Sequence, residues 1–306
     1  MHIGLWHWGG FLLFLVIMLA LDLGVFNKKQ HEVKVREALI TSGIWIALAI
    51  VFNIGVFYLM GHEKGLEFLT GYLLEKSLSV DNIFVFILLF SFFDVPKKYQ
   101  HKVLFWGIFG ALIMRAILIF IGTALIAQFS WVIMIFGAFL VIAGLKMAFQ
   151  KEEKVEPDKN PIVRFVKKVI PVTPQYHKDK FFVRLNKGGL FATPLLIVLI
   201  VVETTDLIFA FDSIPAILAI TNDSFIVFTS NAFAILGLRA LYFALSGFMD
   251  KFHYLKMGLS IILVFIGVKM LLAGVVHIST VLSLIVILAV LTIAIGSSMV
   301  RNKRLS

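Results

Sequence analysis

The sequence predicts an all-α polytopic membrane protein of about nine transmembrane helices, six of them arranged as two inverted three-helix repeats. Three observations lead there. Of 306 residues 60% are hydrophobic and 15% charged, more apolar than a water-facing surface allows. One pattern occurs twice: D-N-I-F-V-F at 81–86 and D-L-I-F-A-F at 206–211. Each copy is followed at matching distances by an arginine (Arg115, Arg239) and then a lysine (Lys146, Lys269). Finally, the net charge of +10 is distributed asymmetrically: 22 of the 28 Lys and Arg fall in alternate polar segments, one in the others, and five within apolar runs.

About 20 apolar residues cross the hydrocarbon of a bilayer. Breaks in hydropathy place spans near 8–26, 40–60, 66–93, 103–122, 129–149, 190–220, 224–248, 254–275 and 279–300. No basic residue precedes the first apolar run, and Lys28 and Lys29 follow it, so it is expected to be an uncleaved anchor rather than a signal peptide. Residues 1–65 form an N-terminal accessory part with two helices, and residues 66–149 the first repeat. The only long polar stretch, 150–189, carries ten basic residues with Pro161, Pro171 and Pro174, and is expected to be a cytoplasmic connector. Residues 190–275 form the second repeat; 276–306 hold the ninth helix and a basic C-terminal tail.

The positive-inside rule turns the charge asymmetry into a topology, with the N-terminus outside and the C-terminus in the cytoplasm. Topology alone accounts for the basic balance, so nucleic acid is not an expected partner; the lipid bilayer is. Each repeat contains three spans, and an odd number makes the second copy enter from the opposite face. Inverted repeats are a transporter architecture, in which a site near the midplane is exposed to alternate sides.

The third span carries Glu75 and Asp81, and the sixth carries Glu203, Asp206 and Asp212. A carboxylate at mid-membrane costs roughly 2.5 to 3.5 kcal/mol, so these acids must be paired, protonated or metal-bound. Glu203 and Asp206, three residues apart, share a helical face, whereas Asp212 lies about 120° away from Asp206. Pro215 removes the hydrogen bond to the carbonyl of Phe211 and is expected to disrupt the helix there, freeing a backbone oxygen beside Asp212 and Ser213.

With the amides of Asn82 and Asn231 and the hydroxyls of Ser77, Ser79, Thr204, Thr205 and Ser213, the donors form an oxygen-rich set that suits Mg²⁺, Ca²⁺ or Mn²⁺. The eight histidines fall in loops or near helix ends, against a buried zinc or copper site, and the absence of cysteine excludes thiolate ligands. Arg115 and Arg239 are candidates for counter-ions or for gating groups that replace the metal's charge when the site is empty. Asp22 is a further candidate for a gating role, near the inner end of the first span. Lys76, Lys146 and Lys269 read as snorkelling side chains. Loading a metal requires ionised carboxylates, whereas an empty cluster of like charges favours protonation, so proton coupling is expected, with neutralisation by the buried bases as its alternative.

The strings E-K-S-L-S-V-D-N-I-F-V-F and V-E-T-T-D-L-I-F-A-F-D-S-I-P-A-I-L-A-I-T resemble the two signature segments of the TerC family of membrane proteins, and F-F-V-R, A-T-P-L, S-N-A-F-A-I-L-G-L-R-A-L-Y-F and G-V-K-M resemble its Alx branch. The resemblance runs from about residue 10 to 300. It implies export of Mn²⁺ across a bacterial cytoplasmic membrane and a fold related to the LysE-type exporters. It also implies functional roles for Glu75, Asp81, Asn82, Glu203, Asp206, Asp212 and Ser213. The choice of Mn²⁺ over Ca²⁺ comes from the resemblance; the donor set leaves it open. No catalytic residue, cofactor or enzyme motif is expected: H-E-x-x-H, G-x-S-x-G and G-x-G-D are absent. The alternative is a membrane scaffold or chaperone in metal or tellurite stress that uses the basic loops.

Overall fold

The computed structural model describes residues 4–24, 35–129, 131–149, 161–184, 189–246, 254–273, 275–276 and 278–305. The chain is built from helices: α1 (Leu5–Gly24), α2 (Val35–Met60), α3 (His62–Phe92), α4 (Lys97–Gln128), α5 (Val132–Phe149), α6 (Pro161–Val169), α7 (Pro194–Leu218), α8 (Ser224–Leu236), α9 (Leu238–Leu245), α10 (Leu255–Leu271) and α11 (Thr280–Leu305). Strands β1 (Phe182–Arg184) and β2 (Leu190–Ala192) pair antiparallel. Gly61 alone separates α2 from α3, at a φ of 96° that disfavours any residue with a Cβ.

Among the described residues six helical spans are long and apolar enough to cross a membrane: α2, α4, α5, α7, the α8–α9 pair and α11. α1 contributes a shorter apolar stretch, Leu5–Leu21. Besides α1, two more of the expected nine spans fall outside that set. α3 is long, but four carboxylates and two lysines interrupt its apolar sequence. α10, with 17 residues, covers about 26 Å at 1.5 Å per residue, just under the hydrocarbon thickness. The expected span 190–220 also loses its start, because Leu190–Ala192 belong to β2. The connector is not plain loop: α6 and β1 fold within it, and residues 150–160 lie outside the described set.

α8 and α9 occupy the middle of the molecule. In the most apolar stretch within 224–245, 89% of residues are buried, against 22% in the corresponding stretches of α2, α5 and α11. α8 can be central because it carries no charge and satisfies its own hydroxyls: Thr229 donates to the carbonyl of Phe225, and Ser230 to that of Ile226, both at 2.7 Å. Asp223 caps its start, accepting from the backbone N–H of Phe225 at 3.0 Å.

The most extensive helix contacts are α5 with α10, α4 with α7 and α3 with α8. α5 and α10 meet backbone to backbone. A Cβ on Gly267 would lie 2.7 Å from the carbonyl oxygen of Gly137, and one on Gly144 would lie 2.9 Å from that of Ser260. The Ser260 hydroxyl donates to the Gly144 carbonyl at 2.8 Å. Small residues admit this approach, the usual device where lipid supplies no hydrophobic drive to associate.

The connector is tied to the helix ends beside it. Tyr176 donates to the carbonyl of Phe93 at 2.7 Å, and Lys102 pairs with Asp179 at 3.2 Å. Burial and then the nearby Asp94 carboxylate push the Tyr176 phenol up to about 12.

Candidate functional site

Arg115, in the middle of α4, is among the described residues the largest fully buried side chain, 1% exposed. An unpaired guanidinium there would be prohibitive, and the sequence supplies acids from two other helices. Asp206 of α7 takes a two-pronged grip: Arg115 Nε donates to Oδ2 at 3.1 Å and Nη2 to Oδ1 at 3.0 Å. Nη1 donates to Glu75 Oε1 of α3 and, at 3.2 Å, to the hydroxyl of Ser213, also on α7. The planar fork of an arginine fits this arrangement, and a lysine could not reproduce it.

Glu75 is completely buried, and its second oxygen, Oε2, has no hydrogen-bond partner. Two carboxylates against one guanidinium leave a formal excess of negative charge. Glu203, one turn before Asp206, adds to it: the two acids repel each other, and Glu203 Oε2 is buried without a partner. Glu203 lies against Gly110 of α4, where a Cβ would overlap its carboxylate, while Gly107 meets Val202. The glycines of G-I-F-G at 107–110 are thus helix contacts, and one of them makes room for an acid.

Of the site residues expected from sequence, Glu75, Asp206, Ser213 and Arg115 come together, with Glu203 adjacent. Asp212 does not join them. It points elsewhere around α7, where the charge of Lys146 on α5 acts on it, as its angular separation from Asp206 requires. Asn82 and Asn231 are buried in α3 and α8, and the Asn231 Nδ2 has no partner. Arg239, 6% exposed, places Nη1 3.1 Å from His101 Nε2 at the start of α4. The side chains of Asp22 and Asp81 lie outside the described residues, although both positions are helical. Among the described residues no three Asp, Glu or His side chains form a group able to hold a metal ion; Arg115 stands between the acids that would do so.

Pro215 does not disrupt α7. The helix passes through it to Leu218, and the Pro215 carbonyl accepts from Ala219 N at 3.1 Å. The discontinuity lies instead between α8 and α9 at Gly237. There Lys76 donates to the carbonyl of Ala234 at 3.2 Å, and a Cβ on Gly237 would lie 2.8 Å from the lysine nitrogen. The reading of Lys76 as a snorkelling side chain is therefore replaced by a role at a helix break. Lys269, likewise, donates to Ser283 of α11 at 2.9 Å. The sequence signals for the break were an isolated glycine and a lysine directly after an acid, neither specific by itself.

The profile of the integral membrane protein TerC family matches residues 60–305. The chain belongs to the TerC family. This TerC protein is 51% identical over 296 residues to "Uncharacterized membrane protein STKORF319" of Myxococcus xanthus, covering 97% of this chain and 92% of that one. It is 48% identical over 297 residues to the "Putative membrane-bound redox modulator Alx" of Salmonella typhi, covering 94% and 92%. The protein of the same name from Escherichia coli K12 is 47% identical over 293 residues, covering 93% and 91%. The similarity to the Alx branch read from the short motifs therefore extends over nearly the whole chain. No solved structure matches it.

Proposed function

We propose that this TerC protein is a secondary transporter that exports Mn²⁺ from the cytoplasm through the acidic site around Arg115, by proton antiport. The observation that carries this reading is the meeting of Glu75 and Asp206, from different helices, at a fully buried arginine, with one Glu75 oxygen lacking a partner. A purely structural ion pair needs one acid per base. A surplus of buried oxygen donors suits a guest cation of the hard, oxygen-preferring class. Arg115 then takes the cation's place in the empty state, and Glu75, Asp206, Ser213, Asp81 and Asn82 bind Mn²⁺ when it withdraws. Glu203 and Asp212 flank the path. Loading ionises whichever acid is protonated in the empty site, so the metal and protons move in opposite directions.

The inverted-repeat reading is supported by which helices touch. If α3, α4 and α5 correspond to α7, α8–α9 and α10, then the contacts α3–α8 and α7–α4 are counterparts, and α5–α10 is its own counterpart. The close approaches obey the same rule. Aligning G-L-K-M at 144–147 with G-V-K-M at 267–270 matches Gly144 to Gly267 and Gly137 to Ser260, so Gly144–Ser260 mirrors Gly267–Gly137. The reading puts the N-terminus outside and the C-terminus inside a bacterial cytoplasmic membrane, with α1, α2 and α11 as accessory helices. A cysteine-free chain has no thiol to exchange, whereas moving a redox-active metal changes redox chemistry elsewhere.

The test is Mn²⁺ flux into proteoliposomes holding a Mn²⁺-sensitive dye, at fixed membrane potential, with and without a pH gradient. The wild type is expected to move Mn²⁺ and to move protons the other way. Asp206→Asn and Asp212→Asn are expected to remain inserted and to lose flux. Undiminished flux in both variants would refute a ligand role, and flux that ignores the gradient would leave a uniporter.

A further inference from the structure

α10 and α11 leave between them a cleft of about 940 Å³, within the size range of ligand sites. Its walls are Met257, Gly258 and Ile261 on one helix and Val290, Ile293 and Gly296 on the other. Two hydroxyls nearby are turned to the backbone: Thr292 donates to the carbonyl of Leu288 at 2.7 Å, and Ser298 donates to that of Ala294 at 2.8 Å while accepting from Tyr254 N at 2.9 Å. Apart from these, Ser297 and the end at Tyr254 and Arg301, the lining is hydrocarbon wall, and it is open. Ile293 is 67% exposed, and a Cβ on Gly296 would meet nothing within 4 Å.

The cleft has one polar end. Tyr254 opens α10, and Arg301 is the last residue of the apolar span Thr280–Arg301 of α11, where the hydrocarbon gives way to headgroups. The two touch: Arg301 Nη1 lies 3.3 Å from Tyr254 Oη, and its guanidinium is 5.6 Å from the ring centre. Among the described residues no carboxylate pairs with Arg301.

We infer that this cleft binds one anionic phospholipid, with an acyl chain along the glycine-lined groove and the phosphate at Arg301. The charge pattern selects this occupant. A lipid brings hydrocarbon to the walls and a negative charge to the one end that carries a cation. A helix from a second copy of the chain would lay apolar side chains over Arg301, desolvating the guanidinium without a counter-charge.

The experiment is native mass spectrometry of the full-length protein, released from detergent after incubation with equal amounts of phosphatidylglycerol and phosphatidylcholine. The wild type is expected to retain one phosphatidylglycerol in preference to phosphatidylcholine by about fivefold, the effect of one basic group at the headgroup level. Arg301→Gln is expected to abolish the preference. Gly296→Leu, which projects a side chain into open space, is expected to lower retention of both lipids while leaving the melting temperature unchanged. Equal retention of the two lipids by the wild type, or undiminished retention by Gly296→Leu, would overturn the inference. A dimer that Gly296→Leu dissolves without changing lipid retention would assign the groove to copy–copy contact. Displacement of the lipid by inorganic phosphate would assign Arg301 to free phosphate.

Discussion

Arg115 and Arg239 follow the two acidic motifs at nearly the same interval, in M-R-A and L-R-A, and their surroundings differ. Arg115 is enclosed at mid-helix and gripped by carboxylates from α3 and α7. Arg239 sits just after the break at Gly237 and reaches the His101 ring at the start of α4. Matching positions in the repeated pattern thus differ in their helix setting, one at mid-helix and the other beside a break. Under the transporter reading that difference is expected of a single state: an inverted pair alternates access by having its halves in unlike conformations.

The sharpest way to break the comparison is to remove each arginine. Arg115→Gln leaves Glu75 and Asp206 facing each other with no cation, and is expected to destabilise the protein by about 3 to 5 kcal/mol, measured by thermal unfolding in detergent. Lost flux at normal stability would instead make Arg115 a gate without structural weight. Adding Mn²⁺ is expected to restore part of the melting temperature, because the metal would replace the missing positive charge. Failure of any divalent ion to do so would count against a shared site.

The His101 contact by itself accounts for about 1.5 to 3 kcal/mol of what Arg239→Gln should cost, the range of a hydrogen bond that carries charge. A loss equal to that of Arg115→Gln would erase the distinction between the two halves.

The helix pair α5–α10 sharpens the same comparison from the opposite side, because under the inverted-repeat reading the two copies would behave alike there. Gly144→Ala and Gly267→Ala each drive a Cβ into a backbone carbonyl of the facing helix, at 2.9 Å and 2.7 Å. Neither neighbour can rotate away, so each substitution is expected to cost about 1 to 3 kcal/mol. Equal losses are the signature of counterpart contacts. A large loss at one and none at the other would mean that the repeat symmetry stops short of this interface.

Much of this was legible in the sequence, for identifiable reasons. The helices announce themselves because a bilayer demands about 20 apolar residues per crossing, and the duplication because its landmarks are charges in apolar surroundings. Glu203 and Asp212 were separable in advance by helical period alone. What was not legible was partner choice. Nothing in E-K-S-L-S-V-D-N says that Lys76 reaches a carbonyl on α8, since a lysine beside an acid reads equally well as a snorkelling side chain. Pro215 looked like a break because proline removes one hydrogen bond, yet tertiary packing carries α7 through it, and the break fell at Gly237, where the freed carbonyl of Ala234 finds a lysine. Three-dimensional contacts decided both cases.

The smallest expected effect concerns Ser213, and it separates two uses of one hydroxyl. Its oxygen accepts from Arg115 at 3.2 Å, the weakest of the polar contacts around the guanidinium. Asp206 still holds Arg115 by two bonds without it, so Ser213→Ala is expected to cost about 1 kcal/mol in thermal unfolding, the net value of an ordinary hydrogen bond. That cost says nothing about Mn²⁺. The flux does: if Ser213 only steadies the arginine, losing it loosens the closed state and the half-saturating Mn²⁺ concentration falls or holds. If the hydroxyl also ligates the ion, one oxygen donor is lost and that concentration rises. Measuring it in proteoliposomes for the wild type and Ser213→Ala therefore tells a residue that guards the empty site from one that fills it.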